Sequence, residues 1–311
     1  MFDTLSVSHF RAFEKLVISP FHRVNLIAGG NNVGKTSVLE AIWFAAQGDP
    51  FKLSAPSLFR RSGLVCEPYT QMQPDDTDNF WKWLFFQKDT SLPISINLSS
   101  STTGDYRTLT IRFDGHGLEA SDHLSNTYRP GSFTTPAKNS HPPVCTTLAT
   151  FLPSPVVDAE RVNKVSVLNR DDELAEYLRE IDTQIKKLKY LKLPEHHHPY
   201  VYADVGFGKG KELIPVTQLG QGIARMLGLF SSLMTERTQI LLIDEFENGL
   251  QHDALAPIWS ALGKFAREND VQVFATTHSY ECIAAAHEAF AEHAEDFAVI
   301  KLRPGPSNGI A

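Results

Sequence analysis

The sequence predicts an α/β fold, and three observations carry that prediction. An apolar strand at 24–28 runs into glycines and then into a helical pattern. A second apolar run, Ile240-Leu241-Leu242-Ile243, stops at two adjacent carboxylates, Asp244 and Glu245. From Leu219 onward helix and strand alternate three times, the grammar of a parallel sheet with crossover helices.

The elements follow in order. Leu5, Val7 and Phe10, then Leu16 and Ile18, alternate with polar residues and predict short strands before the one at 24–28. Val38, Ile42 and Ala45 recur at helical spacing and predict a helix over 35–47. Residues 48–78, rich in Pro, Ser and Asp, read as loop, and the aromatic run Phe80-Trp81-Lys82-Trp83-Leu84-Phe85-Phe86 reads as a short buried helix. Ile94–Leu98 and Leu109–Phe113 predict two strands of one antiparallel sheet. Ser, Thr, Pro, Asn and His dominate from about 121 to 147 and predict a mobile surface loop.

Leu174, Leu178, Ile181, Ile185 and Leu188, spaced by fours and threes, predict one apolar stripe on a helix over 171–192. Asp171, Asp172 and Glu173 at its start and Lys186, Lys187, Lys189 and Lys192 near its end suit the helix dipole, and Pro194 stops the run. Such a helix either lies on the body or projects as an arm. Val201 to Val216 predicts a hairpin around Gly206–Gly210.

Composition narrows the class. The 311 residues are 42% hydrophobic and 21% charged, the balance of an ordinary globular protein. The net charge of -7 argues against a surface that grips nucleic acid broadly, so any such contact is local or supplied by a partner. Cys66, Cys145 and Cys282 are odd in number and far apart, which argues for a reducing compartment and against structural zinc. The N-terminus lacks a basic stretch followed by an apolar core, and no apolar run approaches a membrane span of about 20 residues. A cytoplasmic protein with no membrane partner is expected.

Gly29-Gly30-Asn31-Asn32-Val33-Gly34-Lys35-Thr36 matches the phosphate-binding pattern G-x4-G-K-[ST], between a strand and a helix as the pattern requires. Glycines let the backbone wrap a phosphate, and amides at the helix N-terminus favour an anion. The expected phosphate-binding set is Gly29, Asn31, Asn32, Val33, Gly34, Lys35, Thr36 and Ser37, with Lys35 on the β- and γ-phosphates of ATP. Thr36 and Asp244 are the expected Mg2+ ligands, and Glu245 the group that polarises the attacking water.

The spacing decides the subtype. Asp244 lies roughly 200 residues after Lys35, too far for a small GTPase or a nucleotide kinase. About 20 residues before it, Leu219-Gly220-Gln221-Gly222 opens a helix, and the later strand Val273–Thr277 ends at His278. P-loop, glycine signature, Asp-Glu and histidine in this order are the pattern of ABC-type P-loop NTPases. A mixed sheet with an antiparallel β subdomain and a helical subdomain is therefore expected. In that class Gly220 and Gly222 would cap the γ-phosphate of a facing subunit, making ATP the glue of a homodimer, and His278 would sense that phosphate. The whole chain reads as a single ATPase domain, with 1–49 and 200–311 as nucleotide-binding core. Residues 50–199 form an intervening β, loop and helical-arm region.

These motifs resemble one branch of the AAA-type, ABC-class ATPases, that of the overcoming-lysogenisation-defect (OLD) nucleases, RecF and SMC proteins. Phe10-Arg11-Ala12-Phe13 resembles the branch's Phe-Arg-x-Phe opening, and residues 25–41 its extended P-loop. Leu219-Gly220-Gln221-Gly222, Asp244-Glu245-Phe246-Glu247-Asn248-Gly249-Leu250 and Thr276-Thr277-His278-Ser279 are similar to its later motifs. The resemblance covers both ends, about half the chain, and only loosely the middle. Where the branch usually has His after Glu-Asn-Gly-Leu, this chain has Gln251 followed by His252. The chain ends soon after Arg303, and the Toprim nuclease domain of OLD proteins is expected to be missing. Gln71, Gln73 and Gln87 are all open as the glutamine of the ABC Q-loop.

The resemblance implies an ATP-driven switch that controls a separately encoded effector, such as a nuclease, in antiphage defence. The alternative is a RecF- or SMC-like ATPase that clamps DNA directly; the acidic charge and the absence of long coiled-coil arms weigh against it. A transporter motor is disfavoured by the divergent signature. His196-His197-His198 read as exposed rather than metal-binding, and the Trp81, Trp83, Phe85, Phe86 cluster as core rather than a base-stacking platform. Arg225 either reaches a phosphate across the dimer or is an ordinary surface arginine.

Overall fold

The strands sort by direction into separate sheets. In a computed structural model the described residues are 1–47, 82–113, 118–129, 146–149, 155–192, 198–206, 212–235 and 238–303. Strands β1 (Thr4–Phe10), β2 (Phe13–Ile18), β4 (Ile94–Ser99), β5 (Tyr106–Phe113), β6 (Leu118–Asp122) and β7 (Thr127–Tyr128) form an antiparallel sheet ordered β2-β1-β4-β5-β6-β7. Strands β3 (Val24–Ala28), β8 (Thr146–Ala149), β12 (Ile240–Ile243), β13 (Gln272–Thr277) and β14 (Phe297–Lys301) form a parallel sheet ordered β14-β3-β13-β12-β8. Both β3 and β12 are buried along their whole length, as strands covered on both faces must be.

Helix α1 (Lys35–Gln47) lies between these two sheets. Val38, Leu39, Ala41, Ile42, Trp43, Phe44, Ala45 and Ala46 are all buried, so the helix is apolar around nearly its whole circumference. One side joins Phe10, Ile96 and Ile111 of the antiparallel sheet, and the other joins Ile27, Leu242 and Phe274 of the parallel sheet. Phe44 meets Phe10 edge-on with ring centroids 5.9 Å apart.

A second core covers the other side of the parallel sheet. It is built from α2 (Pro155–Val167), α3 (Asp171–Arg179), α4 (Gln221–Thr235) and α5 (His252–Glu268), with α6 (Tyr280–Ala289) packed on α5. A small antiparallel sheet of β9 (Ile185–Leu191), β10 (Tyr200–Val205) and β11 (Glu212–Pro215) completes it, with β10 in the centre. The hairpin expected at 201–216 is β10–β11, and the alternation expected from Leu219 onward is α4, β12, α5, β13, α6 and β14.

The long helix expected over 171–192 is corrected. It ends at Arg179, and Ile185–Leu191 is a strand. Asp182 makes the turn, its carboxylate accepting from the Gln184 amide at 3.0 Å and its carbonyl from Ile185 at 3.1 Å. The helix-like spacing of Ile185 and Leu188 comes from a β-bulge. Ile185 pairs with Val205 and Leu188 with Ala203, so an extra residue on β9 puts positions three apart on one face. No helical arm exists among the described residues of this stretch.

Two more expectations change. The aromatic run is no buried helix from Lys82 onward: the Arg11 amide donates to Leu84 O at 2.7 Å and Phe85 bridges Phe10, so its backbone serves the β1–β2 turn. Leu84 and Phe85 are core, whereas Trp83 is 52% exposed beneath the Lys88 ammonium. Within the stretch expected as surface loop, β6 and β7 form a hairpin. The Asp122 carboxylate organises it by accepting from the amides of Leu124 and Asn126, the Asn126 side chain and the Tyr128 hydroxyl. The expectations for 48–78, Phe80, Trp81, Gln71, Gln73, Cys66, Cys145, His196 and His197 fall outside the described residues. No helix among the described residues is long and apolar enough to cross a membrane.

Candidate functional site

The glycine turn joins β3 to α1. Gly34 has φ +89°, and a Cβ there would stand 2.5 Å from Cζ of Phe13. Only glycine lets the loop settle onto that ring. This gives the Phe-Arg-x-Phe segment a structural part: Phe13 supports the P-loop from below, while Arg11 pairs with the buried Glu40 of α1 at 3.0 Å. Burial pushes the Glu40 carboxyl up, and Arg11 pulls it back down. A Cβ on Gly29 would stand 2.7 Å from Val33 Cγ2, so Gly29 and Val33 sit packed together under the loop.

Lys35 and Thr36 open α1 at the C-terminal end of the parallel sheet. The Lys35 ammonium donates to the carbonyls of Gly29 at 2.9 Å and Gly30 at 2.6 Å. Burial pulls its pKa below the ordinary lysine value, against the pull of Asp244, Glu247 and Glu245 in the other direction. An incompletely hydrated ammonium among carboxylates suits an anionic ligand that replaces water.

Asp244 and Glu245 arrive from β12. The Thr36 hydroxyl donates to Asp244 Oδ2 at 3.1 Å, and the Thr276 hydroxyl donates to Asp244 Oδ1. The same Thr276 oxygen accepts the Glu245 amide at 2.8 Å, and Thr276 O accepts the Phe246 amide at 2.9 Å. Glu245 takes a left-handed φ of 50°, which turns the chain sharply away from the strand. Asn248 donates to Glu245 Oε2 at 3.3 Å. Thr276 was not singled out from the sequence. The strand-end Thr-Thr is visible there, but the contact across 32 positions is not.

Asn31, Asn32, Gly34, Lys35, Thr36, Ser37, Asp244 and Glu245 thus line one open cleft of about 580 Å³, with Ala12 at its side. The remaining expected site residues stand elsewhere. Gly220 and Gly222 are at the N-terminus of α4, Gly220 exposed at φ +114° with nothing within 4 Å of where a Cβ would be. His278 does not line the cleft; its Nδ1 and backbone amide both meet Glu247 Oε1, at 3.0 and 2.9 Å. Gln87 sits exposed in a short turn at 86–88 and His252 pairs with neighbouring Asp253, neither lining the cleft. Gln251 serves as the N-terminal cap position of α5.

Arg225 is neither of the things expected of it. It is buried, and its guanidinium donates to the carbonyls of Asn248 and Phe246, the latter at 2.9 Å. Burial pulls its pKa well below the usual arginine value. The third cysteine, Cys282, is a buried free thiol pushed up to about 11 by burial, a packing residue rather than a nucleophile.

Comparison with known proteins agrees with this geometry. Residues 4–196 match a family described as AAA domain, and residues 148–284 one described as AAA domain, putative AbiEii toxin, Type IV TA system. The chain is 24% identical to an ATP/GTP phosphatase of Helicobacter pylori, over 96% of this chain and 90% of that protein. It is 44% identical to the DNA replication and repair protein RecF of Idiomarina loihiensis, but over only 19% of this chain and 16% of that protein. Among solved structures, an SMC head bound to the C-winged helix domain of ScpA matches with a TM-score of 0.59 at 12% identity, covering 99% of this chain and 95% of that one. The SMC head domain of Thermotoga maritima matches with a TM-score of 0.57 at 12% identity, covering 100% of this chain and 97% of that one. The chain belongs to the AAA domain family and is a P-loop ATPase with the ABC-type fold of an SMC head.

Proposed function

We propose that this ATPase is a molecular switch that dimerises around ATP, hydrolyses it, and thereby controls a separately encoded effector protein. The observation that carries the reading is the cleft itself, where Lys35, Thr36, Asp244 and Glu245 converge from α1 and β12. Lys35 would exchange its two carbonyl partners for β- and γ-phosphate oxygens, guided by the amides of 31–37. The Thr36 hydroxyl and Asp244 carboxylate, 3.1 Å apart, are hard oxygen donors of the kind a magnesium ion takes. Mg2+ held by Thr36 and Asp244 would neutralise phosphate charge. Glu245, fixed through its amide by Thr276, would orient the attacking water and accept its proton.

The dimer rests on position. Gly220 and Gly222 lie outside their own subunit's cleft, on a helix N-terminus open enough to cap the γ-phosphate of a facing copy. Hydrolysis would remove that phosphate and loosen the pair. A nuclease acting in antiphage defence is the effector that the OLD resemblance favours, and bacterial cytoplasm is the expected location. Of the neighbours, one SMC head is bound to a domain of another protein, ScpA, which supports a partner-controlling role. The test is Glu245→Gln, which keeps ATP binding while removing the proton acceptor. With MgATP it should accumulate as a dimer in light scattering, with turnover lost; near-normal turnover would place the base elsewhere.

The RecF likeness over 19% of the chain favours a second reading, a DNA-maintenance ATPase that clamps DNA directly. Fluorescence anisotropy of duplex DNA, with and without ATP, separates the two: ATP-dependent DNA binding by the purified protein supports the second.

A further inference from the structure

Glu247 is a largely enclosed carboxylate, and the proposed chemistry gives it no part. Its side chain is 12% exposed, and Oε1 accepts from the His278 backbone amide at 2.9 Å and lies 3.0 Å from His278 Nδ1. A carboxylate only accepts, so this contact favours a proton on Nδ1 and orients the ring. Its other oxygen, Oε2, is buried with no hydrogen-bond partner. An unpaired buried carboxylate oxygen is costly, and a packing residue would do better as an apolar side chain. The cost is tolerated at a place where orientation of an imidazole is the return.

The carboxylate is in turn held from a distance. The carbonyls on either side of it, of Phe246 and Asn248, both accept from Arg225. Arg225 belongs to α4, one turn after Gly222, so the signature helix grips the backbone that carries Glu247. Two hydrogen bonds to flanking carbonyls fix both the position and the direction of the segment between them.

We propose that Glu247 is the positioning residue for His278 and that Arg225 fixes Glu247 to the signature helix. The proposal rests on the reading of His278 as the group that meets the γ-phosphate. It adds a physical link: displacement of α4 by a facing subunit's nucleotide would carry the 246–248 segment with it, and His278 with that segment.

The test is a double-mutant cycle on ATP turnover by the full chain. Glu247→Met keeps the volume and apolar fit but cannot accept from imidazole. It should lower kcat about tenfold, the scale at which loss of an orienting partner is felt, with KM for ATP within about twofold. Glu247→Gln, whose amide oxygen still accepts, should recover most of that loss. Glu247→Met added to His278→Ala should cost nothing beyond His278→Ala alone, because the two act as a unit. Arg225→Lys, with one cation reaching for two carbonyls, should give a smaller loss of the same kind, again absent in the His278→Ala background. Multiplying losses in the Glu247→Met, His278→Ala double variant would overturn the proposal, since a residue supporting only the fold behaves that way. Wild-type kcat in Glu247→Met beside a crippled His278→Ala would overturn it too. Full activity in His278→Ala would instead remove the underlying reading of the histidine.

Discussion

Gly34→Ala tests the link between the N-terminal hairpin and the nucleotide loop. The backbone at 34 is left-handed, φ +89°, which costs an L-residue about 1–2 kcal/mol. The added methyl would also stand 2.5 Å from Phe13 Cζ, 2.9 Å from its Cε1 and 3.1 Å from Ala12 Cβ. Phe13 is fully buried and cannot swing aside, so overpacking adds about 1–3 kcal/mol. The sum, about 2–5 kcal/mol, corresponds to a melting temperature lowered by about 3–8 °C in a chain of this size. Thermal unfolding followed by circular dichroism reads the shift, and calorimetric titration should show ATP affinity falling as the loop is displaced. Leu at position 13 lacks the atoms that clash. The double variant Gly34→Ala, Phe13→Leu should therefore lose less than the sum of its parts, keeping mainly the backbone strain. A Gly34→Ala protein that melts and binds ATP like wild type would refute the packing argument.

Three further outcomes are expected. Lys35→Ala should abolish tight ATP binding, because the loop amides alone cannot balance the β- and γ-phosphate charge; unchanged affinity by calorimetry would sink the P-loop assignment. Thr276→Val keeps the shape but removes the donor to Asp244 and the acceptor for the Glu245 amide, a loss of about 2–4 kcal/mol readable by denaturant unfolding. Its kcat should fall with it, and a stable, fully active variant would deny Thr276 any organising part. Gly222→Asp should fold, because a Cβ there meets only Leu250 Cδ2 at 3.5 Å. Its carboxylate, about 4 Å from a facing γ-phosphate, would repel it by about 4 kcal/mol at an intermediate dielectric. ATP should still bind the monomer while light scattering shows no dimer. Mixing with Lys35→Ala protein should restore part of the turnover if the sites are composite, and wild-type dimerisation of Gly222→Asp alone argues against them.

Local chemistry was legible wherever one short segment carries it. The turn at 29–36 and the strand ending at Asp244-Glu245 announce themselves because the required glycines, lysine and carboxylates are contiguous. The helix–strand alternation after Leu219 was equally plain, since β12 and β13 are buried along their whole length and β12 reads as an unbroken apolar run. What failed depends on distant partners. The bulge beside Lys186 gave a strand the spacing of a helix, and only pairing with β10 reveals it. Strands β6 and β7 hid in a Ser- and Asp-containing stretch because Asp122 spends its carboxylate on a turn, which looks like surface polarity in one dimension. Thr276 and Glu247 escaped notice for the same reason: each acts on groups roughly 30 positions away.

The burial of α1 between two sheets has a thermodynamic consequence. A helix with a solvent face can loosen at one end while the other holds, but α1 has almost no such face. Its Glu40 is pinned to Arg11 in the β1–β2 turn, and its first turn carries Lys35 and Thr36. Fraying at the nucleotide end would expose the apolar contacts that hold β4 and β5, so the two layers melt together rather than in sequence. Ligand free energy gained at the P-loop would thereby be shared with the antiparallel layer, which counts occupancy as part of its own stability.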